Sequence, residues 1–177
     1  MVFQKVGLRS NGTTLVGSTL RDSQQRSRGR RMSATDSMVT LQERMVNLIG
    51  QLTMPVAEVA LVLQHHIQGL VKSLSEYASK TGASINERVA HPWPIDTSDG
   101  ESSTSLTFDV DKVLKIVDQD RMDILSTLIR VTLVETEMDL VEGILALRSW
   151  EQLVRQQLAD ATGPGQLFSP LELPEEW

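Results

Sequence analysis

The residues that invite chemistry first are two adjacent histidines, His65 and His66. On a helix, neighbours point about 100° apart, so the pair is badly placed to hold one ion. A histidine pair at i and i+4, or a Glu-x-x-His step from each of two helices, would serve a metal better. Neither pattern occurs: Glu58 stands seven before His65, and no acid stands three before either histidine. The pair reads as the polar edge of a helix, with His66 nearer the flank of the apolar stripe.

A second cluster is acidic: Glu135, Glu137, Asp139 and Glu142. Two carboxylates perform acid–base work when a cleft gives them opposite environments. The plainer reading is a solvated helix face opposite the Val131/Met138/Leu145 column. There is no glycine-rich phosphate loop, no Gly-x-Ser-x-Gly elbow, and no third histidine beyond His91 to build a relay. The chain has no cysteine, which excludes disulfides, thiolate metal sites and a cysteine nucleophile. The expectation is a non-enzymatic protein with no metal and no cofactor.

What remains is charge. Residues 1–33 carry seven of the 17 basic side chains and one acid, a net +6. Residues 34–177 hold the other ten basic and 22 acidic side chains, a net −12, so the total of −6 hides two opposite parts. Arg21, Arg26, Arg28, Arg30 and Arg31 are crowded enough to neutralise phosphates without reading sequence. The same segment could solubilise a terminus or fold back onto its own acidic body. Its Arg/Ser-rich composition also resembles an organellar presequence. Arg30-Arg-Met-Ser33 matches the substrate pattern of basophilic kinases, and a phosphate there would sit near the positive end of the first helix. Aromatic residues are only 4% of the chain, which argues against base-stacking platforms.

These groups need elements to position them. The length of 177 residues and 40% apolar content suit one domain with an arm to spare. Residues 1–33 read as a flexible basic arm, with a weak hairpin around Asn11-Gly12 as the alternative. Met38, Leu41, Met45, Leu48 and Leu52 form a helical stripe, so a helix is expected over about 36–53, capped by Asp36 or Ser37. Pro55 ends it and opens a second helix to about 81, striped by Val56, Val59, Leu63, Ile67, Leu70, Leu74 and Tyr77 and stopped by Gly82. His91-Pro-Trp-Pro and the polar run after it predict a mobile loop over 90–107.

A last helical segment is expected over about 109–161. Val110, Val117, Ile124, Val131, Met138 and Leu145 stand seven apart, and so do Leu133, Leu140, Leu147 and Val154. The companion column is imperfect, with Asp120, Thr127 and Arg148 in it, and a bend near 117–122 could be capped by Asp118. From Gly163 the tail carries three prolines and should be extended.

The expected architecture is therefore all-α: a three- to four-helix bundle over 34–162, with a long C-terminal helix, a basic arm and an extended tail over 163–177. No run of 18 apolar residues occurs, so no transmembrane segment is expected. The expected location is cytoplasmic, with organellar import or the nucleus left open by the arm. Two apolar columns on different flanks of one helix exceed what a short hairpin can cover. Hence Val131, Leu133, Met138, Leu140, Leu145 and Leu147 are expected to associate with a second copy or a helical partner, as in a scaffold, adaptor or small chaperone. Phe168 and Trp177 could anchor the tail in a partner's groove. The alternative function is a structural or regulatory nucleic-acid-associated protein that binds phosphates through the arm.

Overall fold

A computed structural model describes residues 32–96 and 116–174. They form an all-α bundle: α1 Ala34–Leu52, α2 Val56–Thr81, the short α3 Glu87–Ala90, α4 Gln119–Glu135, α5 Leu140–Asp160 and the single-turn α6 Pro164–Leu167. No described helix is long and apolar enough to cross a membrane.

The first helix starts one turn earlier than its stripe suggests. Ser33 is the cap, its Oγ accepting from the Asp36 N–H at 3.1 Å. Asp36 and Ser37, the expected caps, lie inside the first turn. Ser37 is buried and donates its hydroxyl to the Thr136 carbonyl at 3.3 Å, tying α1 to the end of α4.

Three helices end in the same hydrogen-bond pattern, in which a left-handed residue turns the chain and the next N–H reaches back to the carbonyl five residues before it. After α2 the left-handed residue is Gly82, and Ala83 N–H reaches Ala78 O at 3.1 Å. After α1 it is Thr53, with φ +48°, and Met54 N–H reaches Ile49 O at 3.1 Å. After α4 it is Glu137, with φ +52°, and Met138 N–H reaches Leu133 O at 3.1 Å.

That third terminus corrects the expected single helix over 109–161. Asp118 caps α4 by accepting from Arg121 N–H, at the bend anticipated there. The chain then reverses through Thr136–Asp139. Asp139 and Glu142 restart it with a reciprocal capping box: Asp139 Oδ1 accepts from Glu142 N–H at 2.9 Å, and Glu142 Oε2 from Asp139 N–H at 3.1 Å. Residues 109–115 of the expected helix lie outside the described residues.

The four long helices enclose one core. α2 packs most widely on α5, and α1 on α4, with α2–α4 and α1–α5 closing the square. Met45, Val59, Leu125, Ile129, Leu147 and Trp150 are fully shielded at its centre. The tail is a strap over this bundle, with one helical turn inserted where an extended chain was expected. Val56 N–H donates to Ser169 O at 3.0 Å and Leu171 N–H to Met54 O at 2.9 Å, while Leu171 is buried in the core. Gln157 of α5 bonds both the N–H and the carbonyl of Glu172.

Residues 91–96, expected to be mobile, are held along α5. Gln152 donates to Pro94 O at 2.7 Å, Arg155 to Trp93 O at 2.6 Å and Gln156 to Asp96 O at 2.7 Å. Three side chains spaced along one helix thus hold this proline-rich segment by its carbonyls. Residues 97–107 of that expected loop lie outside the described residues.

Candidate functional site

The histidines do not converge on an acid. His66 is half-buried on α2, with Nε2 at 2.9 Å from Ser126 Oγ of α4. Burial, above all, holds its imidazole below the usual histidine range, and the neighbouring charges of His65 and Arg130 act the same way against the Ser126 hydrogen bond. His65 is exposed and meets His66 edge to face at 5.7 Å. His91 pairs with Glu87 of its own short helix at 3.3 Å, in the open. Among the described residues, no group of three or more histidine and acidic side chains could hold a metal.

The acidic cluster is taken up by structure. Glu135 accepts from Arg44 of α1 at 2.6 Å, and the same guanidinium nitrogen reaches Thr132 Oγ1 at 3.0 Å. Asp139 and Glu142 cap α5, and Glu137 forms the left-handed corner.

One buried charge was not anticipated in a structural role. Glu58, in the first turn of α2, is 0% exposed. Its carboxylate accepts from Arg121 Nε and NH2 at 2.9 and 2.7 Å and from Asp118 N–H at 2.9 Å. Three donors to one carboxylate satisfy a charge that burial would otherwise penalise heavily. The acid stands in a Val-Ala-Glu-Val-Ala run, and an acid amid small apolar residues at a helix start was the available signal.

The residues expected to drive association are divided by the corner at 136–139. Leu147 is fully buried in the core, and Leu133 and Met138 pack against it. Leu140 and Leu145 are half-buried. Of the six, only Val131 stays open, at 42% exposure. It belongs instead to an outward stripe of α4: Ile124 at 49%, Thr127, Val131, and Val134 at 73%. Steps of three, four and three place these on one face. The opposite face of α4 carries the fully buried Leu125, Ile129 and Thr132.

A second open feature is a trough of about 570 Å3 between α2 and α5. Its floor is aliphatic, from Leu63, Ile67, Val71, Val154 and Leu158, and among the described residues three cations and one acid line it: Lys72, Arg148, Arg155 and Glu151.

Arg21, Arg26, Arg28, Arg30 and Arg31, the candidate phosphate contacts, lie outside the described residues, as does Trp177. Phe168 follows α6, half-buried on the strap. No known protein family matches the chain, and no curated protein or solved structure matches it either.

Proposed function

We propose that this chain is a non-enzymatic helical interaction protein, and that it self-associates through the outer face of α4. The observation that carries this reading is the exposed Ile124/Thr127/Val131/Val134 stripe on a helix whose other face is already committed to the core. Ile124 and Val131 stand seven apart, and so do Thr127 and Val134, the spacing by which two helices interdigitate. A second copy is the occupant because an isologous contact makes one stripe complement itself. Charge favours an antiparallel approach. Asp123 and Arg130 stand seven apart on one flank of the stripe, so reversed copies set the aspartate of each towards the arginine of the other, with Glu135, paired to Arg44, at the far end.

Sedimentation of full-length protein tests this. A dimer or larger species is expected at tens of micromolar, and a Val131→Glu/Val134→Glu variant should be monomeric with an unchanged helical spectrum, because both positions are exposed. A monomeric wild-type protein overturns the reading, and so does a variant that associates as well as the parent.

The charge split supports a second reading, in which the +6 segment over residues 1–33 binds nucleic acid while the body assembles. Binding should then weaken steeply with salt and vanish on deleting residues 1–33. Binding that survives the deletion, or is missing at low salt, rules this out.

A further inference from the structure

The geometry points to a ligand site in the trough between α2 and α5, for a long-chain aliphatic carboxylate: a fatty acid lying along α2 with its head group at Arg148 and Lys72.

The walls are apolar and the charges are unbalanced. Leu63, Ile67 and Val71 line one side, Val154 and Leu158 the other, and Ala90 and Pro92 close the rim. Among the described charged groups, Lys72, Arg148 and Arg155 face one carboxylate, that of Glu151. An apolar trench with surplus positive charge suits an amphipathic anion.

Arg148 locates the head group. It is 3% exposed, yet its hydrogen bonding is incomplete. One terminal nitrogen bonds Glu151 at 2.6 Å, and the other bonds the carbonyls of Val89 and Ala90 at 3.3 and 3.0 Å. The Nε–H has no acceptor among the described residues. A buried guanidinium ordinarily spends all its donors, so this N–H marks capacity for one further acceptor. Arg155 is tied to Trp93 O at 2.6 Å at the Ala60/Leu158 end. Gly143, early in α5, lies beside Leu70, just past the middle of α2, and Ser169 and Leu171, which follow α5, bond Val56 and Met54 at the start of α2, so the two helices run antiparallel. Five residues beyond Gly143 along α5, Arg148 comes about level with residue 65 of α2, near the middle of the trough; the carboxylate lies between it and Lys72, with the acyl chain running back towards Ala60.

Size separates this ligand from a partner helix. Ala60 to Lys72 spans about 18 Å of helix. A helix of that length and ordinary girth would fill roughly 1,400 Å3, so most of it would stand out of a trough of about 570 Å3. A single acyl chain, at roughly 30 Å3 per carbon if each takes the volume of a water molecule, fits with 14 to 16 carbons.

Displacement of a fluorescent fatty acid by hexadecanoate, measured on full-length protein, tests the site, with hexadecanol and octanoate as comparison ligands. Hexadecanoate should compete at micromolar concentration, and the alcohol and the short acid at least tenfold more weakly. Ala60→Phe narrows the trough and Lys72→Glu reverses an exposed rim charge, and each should weaken hexadecanoate at least tenfold without altering the helical spectrum. Val131→Glu/Val134→Glu, on α4, should bind as the parent does, which keeps this outcome separate from self-association. No displacement, equal affinity for acid and alcohol, or indifference to both trough substitutions overturns the proposal.

Discussion

Arg121 of α4 holds the carboxylate of Glu58 of α2 in a two-pronged ion pair, Nε to Oε2 at 2.9 Å and NH2 to Oε1 at 2.7 Å. The pair fixes where α4 begins, because the same carboxylate also takes the N–H of Asp118, the cap of that helix. Glu58 is wholly buried while about a third of the Arg121 side chain is open, so the two partners are not equivalent. Removing Arg121 strands a buried charge, and Arg121→Ala should cost about 3–5 kcal/mol in denaturant unfolding. Glu58→Gln keeps the shape and removes the charge, so it should cost less. In a double-mutant cycle, adding Arg121→Ala to Glu58→Gln should cost clearly less than it does in the parent. Additive losses would show that the pair does not act as a unit. The arginine itself gives no pH dependence in the ordinary range. Its hydrogen bonds to Glu58 raise an already high affinity for its proton, so that contribution is fully present below the ordinary arginine range and lost only as the pH rises beyond it.

His66 supplies a pH dependence of its own. Burial depresses its proton affinity below the unfolded value of 6.5. Below pH 6.5 the unfolded chain therefore binds the proton that the folded chain refuses. Stability should fall as the pH drops from 6.5 towards the folded value, and be level above pH 6.5. His66→Gln should flatten that part of the profile of unfolding midpoint against pH. His65→Gln removes an exposed ring, so the fall should persist in that variant. An unchanged fall in His66→Gln would assign the titration to another group.

The elements legible in the sequence are those whose stripe and punctuation agree. For α2, the apolar steps, Pro55 and Gly82 all point to one helix, and its bounds follow. For the later half they disagree. The α4–α5 corner uses Glu137 where a glycine would have announced the turn, and the seven-residue columns run straight through it. Asp139 and Glu142 carried a capping signature, but beside Glu135 and Glu137 they resembled a solvated face. The candidate interface was half legible for the same reason. Val131 lies N-terminal to the corner and stays outside, whereas Leu147 lies beyond it and turns into the core. The trough was not legible at all. Arg148 stood out only as an imperfection in a column, and its partners Val89 and Ala90 are 58 residues or more away in sequence.

Thr53 turns the end of α1 with a left-handed backbone that a β-branched residue adopts at a cost. Its side chain is exposed, so glycine there loses no packing. Thr53→Gly relieves the steric cost and gives back part of the gain through the freer unfolded chain. The net expectation is stabilisation by about 0.5–1 kcal/mol, a rise in Tm of roughly 1–4 °C. Thr53→Val keeps the branch and should not stabilise. A fall in Tm for the glycine variant would mean that the threonine hydroxyl contributes more than the backbone strain removes.

Gly143 tests how tightly that unannounced corner is packed. It lies in the first turns of α5, and a Cβ there would meet Leu133 Cδ2 of α4 at 3.3 Å and Leu70 Cδ1 of α2 at 3.6 Å. Both are ends of flexible side chains, so alanine asks them to yield by tenths of an ångström. Against this stands the gain of about 1 kcal/mol from replacing a glycine inside a helix. Gly143→Ala should therefore leave the unfolding free energy within about 1 kcal/mol of the parent. Gly143→Val adds two branches where three elements converge, and should destabilise by about 1–3 kcal/mol. The contrast isolates crowding from propensity, because both substitutions remove the same glycine. If valine is tolerated as well as alanine, the corner is loosely packed, and α4 and α5 are separated by the Asp139–Glu142 cap and the Glu137 turn rather than by the fit of Leu133 and Leu70 around Gly143.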